Sequence, residues 1–178
     1  MLLLIFNETR IPGVFIIESE KIIDARGFFA RTWDKLEFAK KKLNSDIVQC
    51  SISYNRQKAT LRGIHYQGFP YEETKVVYCL TGKTYNVVVD LRKNSLTFKK
   101  WESHELSGDS YKMIYMPKGV AHGFQTLVND TVLFYQMSQY HMPKHYRGIR
   151  WNDPTFNIKW PLKISEISKR DSSFPNFE

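Results

Sequence analysis

The 178-residue sequence has no apolar run approaching the roughly 20 residues that a membrane-spanning helix needs. Its opening Leu2-Leu3-Leu4-Ile5-Phe6 lacks a basic leader, a long apolar stretch and a small-residue cleavage site, so it reads as a first strand rather than a signal peptide. These absences predict a cytoplasmic protein with no membrane partner. Cysteine is scarce: Cys50 and Cys79 both lie in apolar runs and are expected to be reduced core thiols. No internal repeat, low-complexity tract or linker interrupts the chain, so residues 1–178 are expected to form one domain. At this length folding buries roughly 70% of the unfolded surface, which supports a core without metal or disulfide. Acidic residues are also in deficit, 18 Asp and Glu against 26 Lys and Arg, which leaves a net charge of +8. Such an excess suits nucleic acid, a membrane surface or an anionic small molecule, and composition does not choose among them.

What the sequence has in quantity is short apolar runs bounded by turn formers. Val14 to Ile17, Ile47 to Ser53, Lys75 to Leu80, Tyr85 to Leu91, Met113 to Met116 and Val132 to Met137 are rich in Val, Ile, Tyr and Phe. This pattern predicts a β-sandwich or barrel. One helix is expected, from Trp33 to Leu43, with Trp33, Leu36, Lys40 and Leu43 on one face and Asp34 in the first turn. Between Met142 and Pro161 there is little periodicity, yet Trp151 and Trp160 predict an irregular segment packed against the barrel.

Two segments carry chemistry. Thr60-Leu61-Arg62-Gly63-Ile64-His65-Tyr66-Gln67 reads as a strand on which His65 and Gln67 share a face, while Arg62 points the other way unless the strand bulges. Gly63 is where a bulge fits. The second segment, Pro117-Lys118-Gly119-Val120-Ala121-His122-Gly123-Phe124, has the Pro-x-Gly-x-x-His spacing of the second cupin motif. Many cupins bind a metal through His-x-His, a Glu and a later His. Here the second His of the pair is Gln67, and Glu72, Glu73 and His122 would leave an iron or zinc ion poorly held, so no metal is expected.

Taken together, the blocks resemble a specific family, the nucleotide-sugar 3,5-epimerases that act on dTDP-4-dehydro-6-deoxyglucose in rhamnose synthesis. The resemblance runs through Asp24-Ala25-Arg26-Gly27-Phe28-Phe29, Leu61 to Gln67, Lys75-Val76-Val77, Val89-Asp90-Leu91-Arg92, Pro117 to Phe124 and Phe134-Tyr135. It continues through Gly148-Ile149-Arg150-Trp151-Asn152-Asp153-Pro154 and Ser168-Lys169-Arg170-Asp171, which is nearly the whole chain. The family's fold is a double-stranded β-helix, the cupin jelly-roll barrel, with a few short helices. Its chemistry needs a base to take the proton next to a ketone, a cation to stabilise the enolate, and an acid to return the proton on the other face. No cofactor is then required.

By resemblance the base is His65, oriented by Asp171; the acid is Tyr135; and Lys75 faces the developing enolate. Arg26 and Arg62 are the phosphate-facing residues, Gln49 and Ser51 lie toward the nucleoside, and His122 lines the sugar pocket. The implied ligand is a dTDP-linked 4-keto-6-deoxy sugar. The implied assembly is a homodimer in which Arg26 reaches the neighbouring site. Three positions depart from the family pattern: Ser51 for an Asn, and Arg31 and Tyr146 where acidic residues are usual. These departures leave epimerase chemistry standing and bear on the base and the sugar. The rivals are a single-site epimerase or isomerase acting on a CDP- or GDP-linked sugar, and a non-catalytic sugar- or nucleic-acid-binding barrel. Against nucleic acid, the lysines gather on the Trp33 to Leu43 segment and in turns such as Lys99-Lys100 rather than along an aromatic track.

Overall fold

The computed structural model describes residues 3–177. Among the described residues, fourteen strands, two short α-helices and a 3-10 turn at Pro143–His145 account for the regular structure. In chain order the strands and α-helices are β1 (Leu4–Glu8), β2 (Phe15–Ser19), β3 (Lys21–Asp24), β4 (Gly27–Ala30), α1 (Lys35–Lys40), β5 (Gln49–Asn55), β6 (Thr60–Gln67) and β7 (Lys75–Thr81). There follow β8 (Lys83–Asp90), β9 (Trp101–Ser107), β10 (Met113–Met116), β11 (Val120–Thr126), β12 (Thr131–Met137), β13 (Tyr146–Gly148), β14 (Glu166–Ile167) and α2 (Lys169–Ser172). The expected first strand is β1, shifted toward the C-terminus, and Leu2 lies outside the described residues. Among the described residues no helix is long and apolar enough to cross a membrane.

Two sheets face each other, one ordered β1-β2-β10-β7-β12-β5 and the other β13-β6-β11-β8-β9, with β14 alongside β6. This is the expected jelly-roll barrel. Val77, Cys79, Ile114 and Leu133 from the first sheet meet Val88, Leu106, Val120 and Phe124 from the second. The outer faces are covered as well. Phe38 of α1, with Trp33 and Leu43, packs on Ile17, Met113 and Tyr115 of the first sheet. Ile149, Phe156, Ile158 and Trp160, in the irregular stretch foreseen after Met142, pack on Ile64, Val87, Val89 and Ala121 of the second. Burial on both faces explains why the central strands read as unbroken apolar runs instead of alternating.

Two expectations are corrected. Cys79 is a buried thiol, pushed up to about 11 by burial, whereas Cys50 is exposed. β5 is an edge strand with one face toward the barrel interior; Gln49, Ser51 and Ser53 point inward, so the intervening Cys50, Ile52 and Tyr54 point out. The helix is also shorter than its pattern. Asp34 caps it, accepting hydrogen bonds from the Leu36 and Glu37 N–H groups at 2.9 and 3.2 Å, and Lys42 at φ 58° ends it. Leu43 therefore reaches the core through the turn, with its N–H bonded to the Phe38 carbonyl, and Leu36 is left 72% exposed while Phe38 is buried.

The bulge at Gly63 positions the site. β6 and β11 pair as His122 with His65 but as Phe124 with Arg62, a slip of one residue. Gly63 has φ 113°, and a Cβ there would lie 2.6 Å from the Gly123 Cα and 2.9 Å from the His122 carbonyl oxygen. Only glycine fits such an approach at such a φ. Gly63→Ala is therefore expected to cost at least ~1–3 kcal/mol, combining left-handed strain with a backbone clash, and to disorder the pocket. A urea melt together with dTDP binding checks this; a variant with wild-type stability and binding would contradict it.

Candidate active site

A cavity of ≈ 320 Å³ lies between the sheets, and the bulge turns both Arg62 and His65 toward it. Gln49, Ser51 and Ser53 form one wall from β5, while Lys75 of β7 and Tyr135 of β12 continue the same sheet. His122 and Phe124 of β11 line the opposite side, and Arg170 of α2 reaches the rim. Every expected site residue on β5, β6, β7, β11 and β12 thus faces one cavity.

Behind His65 stands Asp171, only 2% exposed although it lies in a polar C-terminal stretch. The one-turn helix α2 is capped by Ser168, whose Oγ accepts from the Asp171 N–H at 3.1 Å. This cap aims the carboxylate at β6. Asp171 Oδ1 lies 2.8 Å from His65 Nε2, and its Oδ2 accepts the Gly63 N–H at 3.0 Å. The bulge therefore frees a backbone donor that helps hold the carboxylate. Burial pushes the Asp171 carboxyl up, but the hydrogen bonds from His65 and Gly63 and the nearby Arg170 charge hold it below its ordinary value. With an ionised acceptor at Nε2, that nitrogen carries the proton and Nδ1 keeps its lone pair. Burial lowers the pKa of His65, outweighing the upward pull of Asp171, and the Lys75 charge adds to the lowering. His65 is thus a neutral imidazole at physiological pH, held in one tautomer.

His122 is buried and pushed down to about 3, first by burial, then by the Lys75 charge and, once acid protonates it, by His65. Its Nε2 lies 3.1 Å from Asn86 Oδ1, and the Asn86 amide nitrogen bonds Thr84 Oγ1 at 2.9 Å, so Nε2 is the donor. Tyr135 is raised by burial and remains a protonated phenol. Among the described residues its Oη has no hydrogen-bond partner, which leaves it available to a ligand. Arg62 is oriented by Asn55, whose Oδ1 accepts from Nε at 2.7 Å.

The donors of a cupin metal set are engaged otherwise. Nε2 of His65 and of His122 are taken by Asp171 and Asn86, and Gln67 turns its amide to the Tyr71 and Tyr140 carbonyls and the Met142 N–H. Gln67 thereby shapes the loop beside the site rather than lining the cavity. Among the described residues no three His, Cys, Asp or Glu side chains converge as a metal set.

Arg26 is the exception to the clustering. It sits at the tip of the β3-β4 hairpin, 90% exposed, with its guanidinium 2.6 Å from Asp24, and it does not line the cavity. Conversely, the cavity contains residues for which the sequence suggested other roles or none. Glu73, weighed only as a metal ligand, pairs with Lys75; Tyr146, marked only as a departure, packs its ring 5.1 Å from that of His65. Arg170 lies over the Tyr146 ring at 4.6 Å and was visible only as the neighbour of Asp171. Ser53 follows from alternation with Gln49 and Ser51. His141, whose N–H bonds Gln49 Oε1 at 2.6 Å, had no sequence signal.

A tautomer-locked histidine, a cation and a free phenol around one cavity suit proton transfer next to a carbonyl. The sequence profile of the dTDP-4-dehydrorhamnose 3,5-epimerase family matches residues 8–178. The chain belongs to that family. The epimerase is 37% identical over 172 residues to the dTDP-4-dehydrorhamnose 3,5-epimerase of Sinorhizobium fredii, covering 96% of this chain and 88% of the relative. The enzyme of the same name from Bacillus anthracis, solved with TDP and pyrophosphate bound, superposes with a TM-score of 0.95 at 35% identity, over 98% of this chain and 100% of its own. The dTDP-6-deoxy-D-glucose-3,5-epimerase of Legionella pneumophila, solved with dTDP-4-keto-L-rhamnose, gives 0.90 at 30% identity over 99% of this chain and 100% of its own. The epimerase is thus an isomerase-class enzyme with a cupin-type fold, as the sequence blocks implied.

Proposed function

We propose that this chain inverts C3, C5 or both of a dTDP-linked 4-keto-6-deoxyhexose, in rhamnose-type deoxysugar synthesis. The observation that carries this reading is the 2.8 Å His65–Asp171 pair beside a cavity also lined by Lys75 and Tyr135. Nδ1 of neutral His65 takes the proton next to the ketone, and Asp171 offsets the charge of the imidazolium that forms. The Lys75 ammonium offsets the charge gathering on the ketone oxygen. Tyr135 then delivers its phenolic proton to the opposite face of the enolate carbon, which inverts the configuration there, and the imidazolium and phenolate left behind return to their starting states by proton exchange with solvent. Of the other residues lining the cavity, Arg62 suits the diphosphate, Gln49 and Ser51 suit the nucleoside, and His122, neutral and fixed by Asn86, suits the sugar.

The test is proton NMR of dTDP-4-keto-6-deoxyglucose turned over in deuterated buffer. Deuterium is expected at C3, C5 or both, with inversion at each exchanged carbon. Absence of exchange at both would sink the proposal, and exchange at one alone would identify a single-site enzyme. A melting-shift panel of dTDP, UDP, CDP and GDP reads the base, where stabilisation by dTDP is expected to be the largest.

We further propose a cytoplasmic homodimer in which Arg26 completes the neighbouring site. Support comes from the β3-β4 hairpin, where Ile22, Ile23 and Phe29 are exposed around Arg26, an apolar patch of the kind that marks a protein interface. The two free cysteines suit a reducing compartment. Arg26→Ala and His65→Ala subunits, each inactive alone, are expected to regain activity when mixed, because hybrid dimers hold one intact site. Mixtures as inactive as their components would count against the shared site.

A further inference from the structure

Lys75 does not face the cavity alone. Glu73 Oε1 lies 2.7 Å from Lys75 Nζ, and the two side chains are only 9% and 13% exposed. Other lysine pairs of the chain are of a different kind: Lys83 with Glu105 and Lys35 with Asp46 lie in solvent, where such contacts contribute little. The Glu73–Lys75 pair lies in the cavity wall, where a charge without a partner is costly. The backbone between the two is itself fixed. Thr74, the buried residue between the two, has its N–H bonded to Ser138 Oγ at 2.8 Å and its carbonyl bonded to the Ser138 N–H at 3.0 Å. With Thr74 tied to the end of β12, alternation along the extended chain puts Glu73 and Lys75 on the same side.

We propose that Glu73 is a positioning residue for the reaction, holding the Lys75 ammonium at the height of the ketone oxygen. The inference rests on the enolate-facing reading of Lys75. A lysine carries its charge on a flexible four-carbon stem with three donors. The bond to Glu73 uses one donor and removes the freedom of the stem, leaving two for the ketone. The arrangement matters more in the transition state than on binding, because the charge on the ketone oxygen appears only there.

Four variants test this: Glu73→Ala, Glu73→Gln, Lys75→Met, and Glu73→Ala combined with Lys75→Met. Glu73→Ala is expected to lower kcat about 10–100-fold with KM within about three-fold, the effect of a misplaced catalytic group. Glu73→Gln keeps an oxygen acceptor for Nζ and is expected to stay within about five-fold of the wild-type kcat. On the Lys75→Met background the Glu73→Ala change is expected to add less than about two-fold, since the two act as a unit. A melting shift with dTDP verifies that each variant folds. The inference is overturned if Lys75→Met is slow while Glu73→Ala is not, if the loss in Glu73→Ala lies in KM, if Gln is no better than Ala, or if the Glu73→Ala loss persists in full without Lys75. A fully active Lys75→Met would instead remove the reading of Lys75 on which the inference rests.

Discussion

Replacing His65 by alanine is expected to reduce kcat by at least ~10²–10⁴-fold, the usual contribution of a positioned general base, while dTDP still raises the melting temperature. Activity collapses because Asp171, already ionised, cannot reach the substrate from behind the strand, and His122 has its ring buried and tied to Asn86. The fold survives because His65 borders a cavity rather than filling the core, and Asp171 retains the Gly63 N–H. A modest loss of stability is expected from the bond removed. The same residue dictates the pH dependence. Burial lowers the His65 pKa, so the base remains unprotonated through neutral pH, and kcat/KM is expected to fall only as pH drops through a value below 6.5. Tyr135 is raised by burial and keeps its proton well into the alkaline range, so no alkaline limb from the acid is expected near neutrality. A variant that fails to fold, or an acid limb above 6.5, would return His65 to the role of a packed core histidine.

Tyr135→Phe separates the two proton transfers. The base alone suffices to remove a proton and return a solvent deuteron to the same face, so deuterium is expected to enter the substrate at a rate within about ten-fold of wild type. Epimerised product is expected to fall by about 10²-fold or more, because nothing then donates on the opposite face. The change is structurally mild. Oη makes no hydrogen bond within the described chain, so its removal leaves no partner unsatisfied. Equal loss of exchange and product in the same NMR experiment would show that Tyr135 is not the separate acid.

Much of this site was legible in the one-dimensional pattern because its groups come from strands with strong local signatures. The Arg62-Gly63-Ile64-His65 run carried its own bulge signal, and β6 does slip one residue there against β11. The apolar runs located the strands, since β-branched and aromatic residues suit a pleated, packed surface. What those runs could not convey was which face of an edge strand is covered. Cys50 and Gln49 are neighbours in the same segment, yet one is exposed and the other lines the cavity, because only a second sheet decides which side is the interior. The helix face failed for a related reason: α1 ends after Lys40, and the turn at Lys42, not helical periodicity, brings Leu43 back to the core.

By itself the sequence determined the strand-rich class, the family through its ordered blocks, and the glycine that the bulge requires, and it singled out the residues proposed to react. Only the tertiary structure decided that Asp171, 106 residues beyond His65, is buried with its carboxylate 2.8 Å from the ring. It also decided that Glu73 is the partner of Lys75 and that Arg26 stands outside its own chain's cavity. The reason is physical. Strand formation and turn chemistry are set by neighbours along the chain, whereas burial, ion pairing and the protonation of an imidazole are set by whatever the fold packs against it.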